Sequence, residues 1–274
     1  MITIYKKHIQ KTWLFWLLPI ILLIVLSLYM VVLWPTFEPL AEDLQEFLEN
    51  PLYQAILSEG SFELGIASFE GLLSIEIFLV GDLIFLGLIL LFGTMIVARE
   101  VDTGTLDIIL SFPVPRWRFL LEKFLAFITV TLTFPILTWL ATALGAMAYG
   151  IDFNSEAYFL GLFGRWILYM TLTCIVILCS IIFMDTTKTL GSAGLILGGS
   201  FILERLGGLV RTASEETADI LQGISLFHYL DGSTIMNAIL DNNGFPLEEL
   251  ILVLLIGFMA LLASLMLFQT REFK

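Results

Sequence analysis

Six stretches of this 274-residue chain contain no charged side chain: 12–37, 83–98, 124–151, 166–184, 189–203 and 250–270. No other feature restricts its folding as much. A helix rising about 1.5 Å per residue needs roughly 20 apolar residues to cross the hydrocarbon core of a bilayer. The first, third, fourth and sixth stretches meet that length outright. The second meets it by starting near Ile75 and carrying Glu76 and Asp82 into the membrane. The fifth meets it by running past Glu204 and Arg205 to Val210. The first is too long for the apolar core of a signal peptide, and no small-x-small cleavage site follows it, so it reads as a span. The expected fold is all-α and integral to the membrane. Its six transmembrane helices fall at about 13–34, 75–98, 124–148, 158–183, 189–210 and 250–269, in one membrane domain over 1–274.

The charges test that layout. Net charge is −13, from 13 Lys+Arg against 26 Asp+Glu, which excludes a nucleic-acid binder built on clustered basic residues. Disorder is excluded by the 58% hydrophobic content. With both termini placed in the cytoplasm, the inner side carries Lys6, Lys7, Lys11, Arg99, Arg116, Arg118, Lys123, Lys188, Arg271 and Lys274. Only Arg165, Arg205 and Arg211 lie elsewhere, a clear positive-inside pattern. Six acids accompany the inner cations, so that side sums to +4 and the remainder to −17. The inner face suits anionic lipid. A basic tail on the same side as the N-terminus also demands an even number of spans, which supports the short fifth one.

Two outer segments follow, 35–74 and 211–249. In the first, Leu40, Leu44, Phe47 and Leu48 share one helical face with acids on the others, and Asn50–Pro51 stops the pattern. That helix either lies on the outer interface or gates a substrate path. In the second, 223–240 is too interrupted by polar groups to span. It can dip into the membrane and return where protein covers its backbone. The outer acidity leaves three readings open: repulsion of anionic lipid, attraction of cations, or docking of a basic extracytoplasmic partner.

Catalytic chemistry is not indicated. Cys174 and Cys179 stand five residues apart on one helix, too divergent to pair with each other, and read as small core residues. His8 and His228 have no second imidazole near them in sequence. No GxxxxGK[ST] loop occurs, so nucleotide hydrolysis is not expected of this chain. No bound cofactor or metal is expected either.

The loop 99–123 is the informative one. Asp102 or Thr103 can cap a short helix over about 104–111, with Asp107 in its first turn. Its spacing puts Leu106, Ile109 and Leu110 together on one exposed side, and Pro113 and Pro115 end it. Such an element is either a knob for a partner's groove or a helix resting on the bilayer.

Here the chain resembles a family. Glu100-x-x-Thr-Gly-Thr-Leu-Asp107, then Leu110-Ser-x-Pro-Val-x-Arg116 and Lys123, is similar to the signature E-x-x-x-G-T-L-[DE]-x-L-L-x-x-P-V-S-R, closed by a Lys, of type-2 ATP-binding-cassette (ABC) permease subunits. The 225–231 run, with Ser225, Phe227, Tyr229 and Leu230, resembles that family's S-x-F-x-Y-[FL]-x-P stretch. Departures are Ile109 for the first Leu, Pro115 for the usual Ser, and Gly232 near an expected Pro. The resemblance implies a multi-pass cell-membrane protein with a cytoplasmic coupling helix around 103–111 seated in a separate cytoplasmic ABC ATPase. Glu100, Asp102, Thr103, Gly104, Thr105, Leu106, Asp107, Leu110 and Arg116 would form the coupling element, with Glu100 orienting it and Arg116 anchoring the third span. ATP and Mg would sit wholly on the partner. A second permease copy, identical or paralogous, would complete an alternating-access exporter. The competing class is an ATP-independent channel or a membrane scaffold for an extracytoplasmic partner.

Inside the membrane, Asp82 and Arg165 have opposite sign and similar depth, about 10 Å below the outer ends of their spans. A lone charge at a helix centre costs roughly 2.5–3.5 kcal/mol on insertion scales. The two therefore either pair, within one copy or across a dimer, or reach the headgroups separately. Pro135 marks a kink in the third span, among threonines whose hydroxyls either replace lost backbone bonds or line a cavity. Gly194 and Gly198 permit close helix packing in the fifth, a candidate dimer seam.

Overall fold

The computed structural model describes residues 3–40, 64, 68–106, 111, 115–211 and 213–271. Every regular element among them is helical. Helix α1 spans Thr3–Phe37 and ends in a 3-10 turn, Glu38–Leu40. The outer amphipathic positions Leu44, Phe47 and Leu48 lie outside the described residues. Helix α2 spans Phe69–Ile96; Ser68 caps it by accepting the Gly71 N–H at 3.0 Å, and Ser74–Phe78 forms a π-helical turn. A break at Val97 leads into α3, Ala98–Asp102, and the Ala98 N–H freed there donates to Ser180 Oγ at 2.8 Å.

The third crossing is two helices, α4 (Arg116–Thr131) and α5 (Thr133–Tyr149), joined at Leu132. Pro135 explains the joint. It has no N–H to give the Thr131 carbonyl four residues back, and its ring crowds the same turn. The nearby threonines turn inward on their own backbone: Thr129, Thr131 and Thr133 donate to the carbonyls of Leu125, Phe127 and Val130 at 2.9, 2.8 and 2.6 Å. These bonds go to carbonyls other than that of Thr131, and the buried Thr138 hydroxyl has no partner, so neither reading is decided for the group.

Helix α6 (Ser155–Phe183) is capped by Asn154, and α7 (Thr186–Val210) by Asp185. Three short helices follow: α8 (Glu215–Ile224), α9 (Leu226–Tyr229) and α10 (Gly232–Leu240). Helix α11 (Leu247–Thr270) closes the chain. Six of these helical runs are long and apolar enough to cross a membrane, so this is an all-α, six-span protein. Helix α6 is the central post. Two thirds of its apolar window (67%) is buried, against 22–39% for the other five, and α2, α5, α7, α10 and α11 all pack on it.

Small residues let the short helices press against α6. A Cβ at Gly161 would stand 2.7 Å from the Gly232 carbonyl, and one at Gly232 would enter the Phe78 ring. The connection before α11 is thus seated inside the bundle, packed against α6, and its carbonyls are met by protein groups, as a buried irregular backbone requires.

Both chain ends lie at one end of the bundle. Tyr5 meets α4, its N–H donating to Glu122 at 3.4 Å and its hydroxyl to Thr129 at 3.0 Å. Arg116 at the start of α4 meets Arg271 after α11. We call this the terminal end and the opposite one the far end.

Candidate functional site

At the terminal end, the last carbonyls and first N–H groups of each long helix lack intrahelical partners and carry partial charge, negative at the C-terminus and positive at the N-terminus. Charged side chains from neighbouring elements meet four of these ends, each with the sign the dipole favours. Lys123 of α4 donates to the Ile96 carbonyl closing α2, at 3.0 Å. Arg271 donates to the carbonyls of Ile181 (2.6 Å) and Ile182 in the last turn of α6. Arg116 donates to the carbonyls of Phe268 and Gln269 at 3.4 Å and of Arg271 at 2.6 Å, closing α11. Asp102 accepts the Thr186 N–H at 2.9 Å, at the start of α7. Thr186, through its hydroxyl and then its N–H, holds the Asp102 carboxyl below its ordinary range.

Glu100 joins the two sides of the loop. Its carboxylate accepts from Lys123 Nζ at 2.9 Å and from the Thr105 hydroxyl. The Thr103 hydroxyl donates to the Arg99 carbonyl at 2.8 Å and lies 2.9 Å from that of Thr105. Two expectations for this loop are corrected, while Thr105 and Leu106 are helical, one residue after the expected start at Gly104, whose φ of +66° is left-handed and reverses the chain after α3. Asp102 does not cap a helix of its own loop; it reaches across to α7. Leu106 does not present an exposed face: after that reversal it turns back into the core and is 2% exposed. Asp107, Ile109 and Leu110 lie outside the described residues.

The far half holds a different construction. Arg165 on α6 meets Asp82 on α2 within one chain. Its Nε donates to Asp82 Oδ1 at 2.7 Å and its Nη2 to Oδ2, a two-pronged pair with both side chains essentially inaccessible. The Tyr169 hydroxyl donates to Asp82 Oδ1 at 2.9 Å. Arg165 Nη1 donates to the carbonyls of Phe227 and Leu230, both at 3.1 Å, and stands 3.7 Å from Asp231 Oδ1. Arg205 Nη2 on α7 lies 3.6 Å from Asp82 Oδ2, its guanidinium over the Phe201 ring. One residue back, Glu204 Oε1 faces His228 Nδ1 at 3.6 Å.

Residue spacing pointed to the first two members of this cluster only. Glu204 and Arg205 signalled themselves as charges that had to be carried past the fifth apolar run, yet nothing in the sequence said which way they face. Asp231 and His228 carried no signal, because their partners lie on other helices. Cys174 and Cys179 are buried and unlinked. The Gly191, Gly194, Gly198 and Gly199 positions of α7 have open space where a Cβ would stand.

What the residues define is a multi-pass α-helical membrane protein whose ionisable groups brace helices against one another. Among the described residues no three His, Cys, Asp or Glu side chains gather as metal ligands. The family model described as "ABC-2 family transporter protein" matches residues 3–272, and the chain belongs to that family, a membrane transport component. No curated protein and no solved structure matches the chain significantly.

Proposed function

We propose that this chain is the permease half of an exporter driven by a separate cytoplasmic ABC ATPase. Both termini face the cytoplasm, where the basic residues concentrate. Two copies, or one copy and a paralogue, enclose the substrate path and alternate between inward- and outward-facing states. The open glycine face of α7 suits the close helix contact such a pairing needs. ATP and Mg bind the partner alone.

The observation that carries this reading is the charge-tied terminal end. The 99–123 loop does not hang from the bundle. Through Asp102, Glu100–Lys123 and Arg116 it is bonded to the ends of α2, α7 and α11, and Arg271 passes the tie on to α6. A push on this loop therefore moves four membrane helices as a set, which is what an ATPase docked there has to accomplish.

The test is Gly104→Glu. The position has open space around it but a φ of +66°, where any side chain strains the backbone, so Gly104→Ala is the control and the difference between the two variants reports the new charge. Leu106→Glu is the poorer probe, since its buried side chain makes it a folding variant. With the ATP-binding subunit co-expressed, Gly104→Glu is expected to weaken co-purification by at least about tenfold, or 1.4 kcal/mol. Undiminished recruitment together with undiminished ATP-driven conformational change in the complex would overturn the proposal.

A further inference from the structure

An acidic or amide side chain stands directly before a glycine at Asp231–Gly232 and at Asn243–Gly244, in opposite surroundings. Asp231 is 5% exposed, and its carboxylate caps α10 and stands against Arg165. Asn243 and Gly244 are both exposed, in the connection from α10 to α11.

The way α10 ends decides what these exposed residues can do. Asn242, at φ +60°, is the left-handed residue of a Schellman cap. Its N–H donates to the Ile239 carbonyl at 3.2 Å, and the Asn243 N–H donates to the Ala238 carbonyl at 2.8 Å. The chain turns again at Gly244, φ +79°. The Gly244 N–H is the first one past the cap, and it has no hydrogen-bond partner among the described residues.

An asparagine loses its side-chain amide when the next backbone nitrogen attacks it. That nitrogen has to be unbonded and sterically open, and water has to reach the product. For Asn242 the nitrogen is that of Asn243, which Ala238 holds. For Asn237 it lies within α10. The Asn154 carboxamide is itself occupied, accepting the Ala157 N–H at 3.0 Å. For Asn243 the nitrogen belongs to Gly244, unbonded, exposed and without a Cβ to block the approach.

We propose that Asn243 is a self-modification site, where the chain converts a neutral amide into a carboxylate with water as co-reactant. The Gly244 nitrogen bonds to Asn243 Cγ and the Cγ–Nδ2 bond breaks. The proton from Gly244 leaves with the side-chain nitrogen as ammonia, and a cyclic imide remains. Water then opens the imide, its proton returning to the Gly244 nitrogen. Opening at Cγ gives aspartate; opening at the main-chain carbonyl gives isoaspartate, whose main chain runs through the former side chain. Nothing is oxidised or reduced. The product adds a charge at the far end of the bundle, and the isoaspartate form adds a methylene to a short link. Phe245 lies on that link with its ring beside Gly164 of α6, so the added length is felt where α10 is pressed onto the central post. This inference stands independently of ATP coupling.

The test is to age the full chain in nanodiscs at mildly alkaline pH in heavy-oxygen water. Mass spectrometry with fragmentation that separates aspartate from isoaspartate then maps each asparagine. Residue 243 is expected to gain one heavy oxygen and to appear in both forms. It should do so at least about tenfold faster than residue 242, a barrier difference of about 1.4 kcal/mol. Amide loss at 243 no faster than at 242, or aspartate as the sole product, would overturn the proposal. Denaturation separates the cap from the local sequence, because it frees the Asn243 nitrogen. The ratio of the two rates is expected to narrow in the denatured chain, and a ratio unchanged by unfolding would overturn the role given to the fold. Asn243→Gln, whose longer side chain closes such a ring poorly, should abolish the change at 243; a persisting change would count equally against it. The wild-type comparison of 243 with 242 decides by itself if that variant folds badly.

Discussion

The two ends of this bundle use the same residue types for opposite electrostatic work. At the terminal end, single charges meet the half-charges of helix termini: Arg116, Arg271 and Lys123 at C-terminal carbonyls, Asp102 at an N-terminal N–H. Water reaches most of them, so each contact is modest and exchangeable. In the far half, full charges meet full charges out of reach of water: Asp82, Arg165, Asp231 and Arg205 in one connected group, Glu204 at its edge. There the solvation forgone is large and has to be matched by bonding. The difference teaches where the chain can yield. A frame of weak, similar clamps can shift together under load, whereas a buried cluster with one arrangement of bonds holds its helices in place.

That contrast is broken or sharpened most strongly at Arg165. Arg165→Met leaves Asp82 buried with Tyr169 and the more distant Arg205 as its remaining partners, and is expected to cost about 3–5 kcal/mol. Arg165→Lys should recover little of this, since an ammonium cannot make the two-pronged bond and also reach the carbonyls of Phe227 and Leu230. Adding Asp82→Leu to Arg165→Met should restore much of the loss by removing both ions. Unfolding in mild detergent, followed by tryptophan fluorescence, measures all three. A loss for Arg165→Met no larger than for the terminal-end variants would dissolve the distinction between the two ends.

The next largest effect concerns how α10 reaches the cluster at all. Gly161→Ala places a methyl group 2.7 Å from the Gly232 carbonyl, too near for either backbone to keep its position. Displacement of α10 from α6 is expected to cost about 1–3 kcal/mol in the same unfolding measurement. Gly194→Ala on the open face of α7 meets nothing within the chain and should leave the stability of a single copy equal or slightly higher, by up to about 1 kcal/mol, as alanine favours a helix over glycine. A loss would therefore report contact with a second copy.

How far the sequence disclosed this molecule depends on whether a signal lies along the chain or between helices. The six spans were legible because a membrane demands uninterrupted apolar length, and Pro135 gave away the joint at Leu132 because a missing N–H acts within one turn. The meeting of Asp82 and Arg165 was legible as an alternative because an ion that deep needs a counter-ion. Asp231, Glu204 and His228 were not, since each gains its meaning from a partner on another helix. The loop at 99–106 was read by local rules that do apply to Asp, Thr and Gly. The α7 N-terminus, 84 residues away, competes successfully for Asp102. The left-handed turn at Gly104 then sends Leu106 inward, against the helical period that had placed it outside.

Smaller effects are expected from the clamps themselves. Arg116→Ala and Arg271→Ala should each lower stability by about 0.5–1 kcal/mol, less at high salt, as a charge at a partly exposed helix terminus does. Their interest is in coupling rather than stability. If the clamps carry the push of an ATPase, the double variant in the assembled complex retains recruitment yet loses the ATP-driven movement of α6 and α11, read as a distance change between spin labels at their far ends. Retained movement in the double variant would make the clamps ordinary helix caps.

The smallest expected effect is also the one with a sign fixed by titration. Asp102 is exposed, and Thr186 holds its carboxyl below the ordinary value by bonding to the charged form. A carboxyl whose folded-state value is depressed adds stability that is complete above its unfolded value, about 4, and disappears as pH falls through the folded one. The join between the loop and α7 should therefore be insensitive to pH from neutrality down to about 5 and weaken below about 4. Asp102→Asn, which keeps an acceptor oxygen but no charge, should remove that acid-induced step while lowering stability slightly at neutral pH. Exchange of the Thr186 amide, corrected for its intrinsic rate, reads the contact directly. An acid-induced step of equal size in Asp102→Asn would assign it to another carboxylate and leave Asp102 out of the terminal frame.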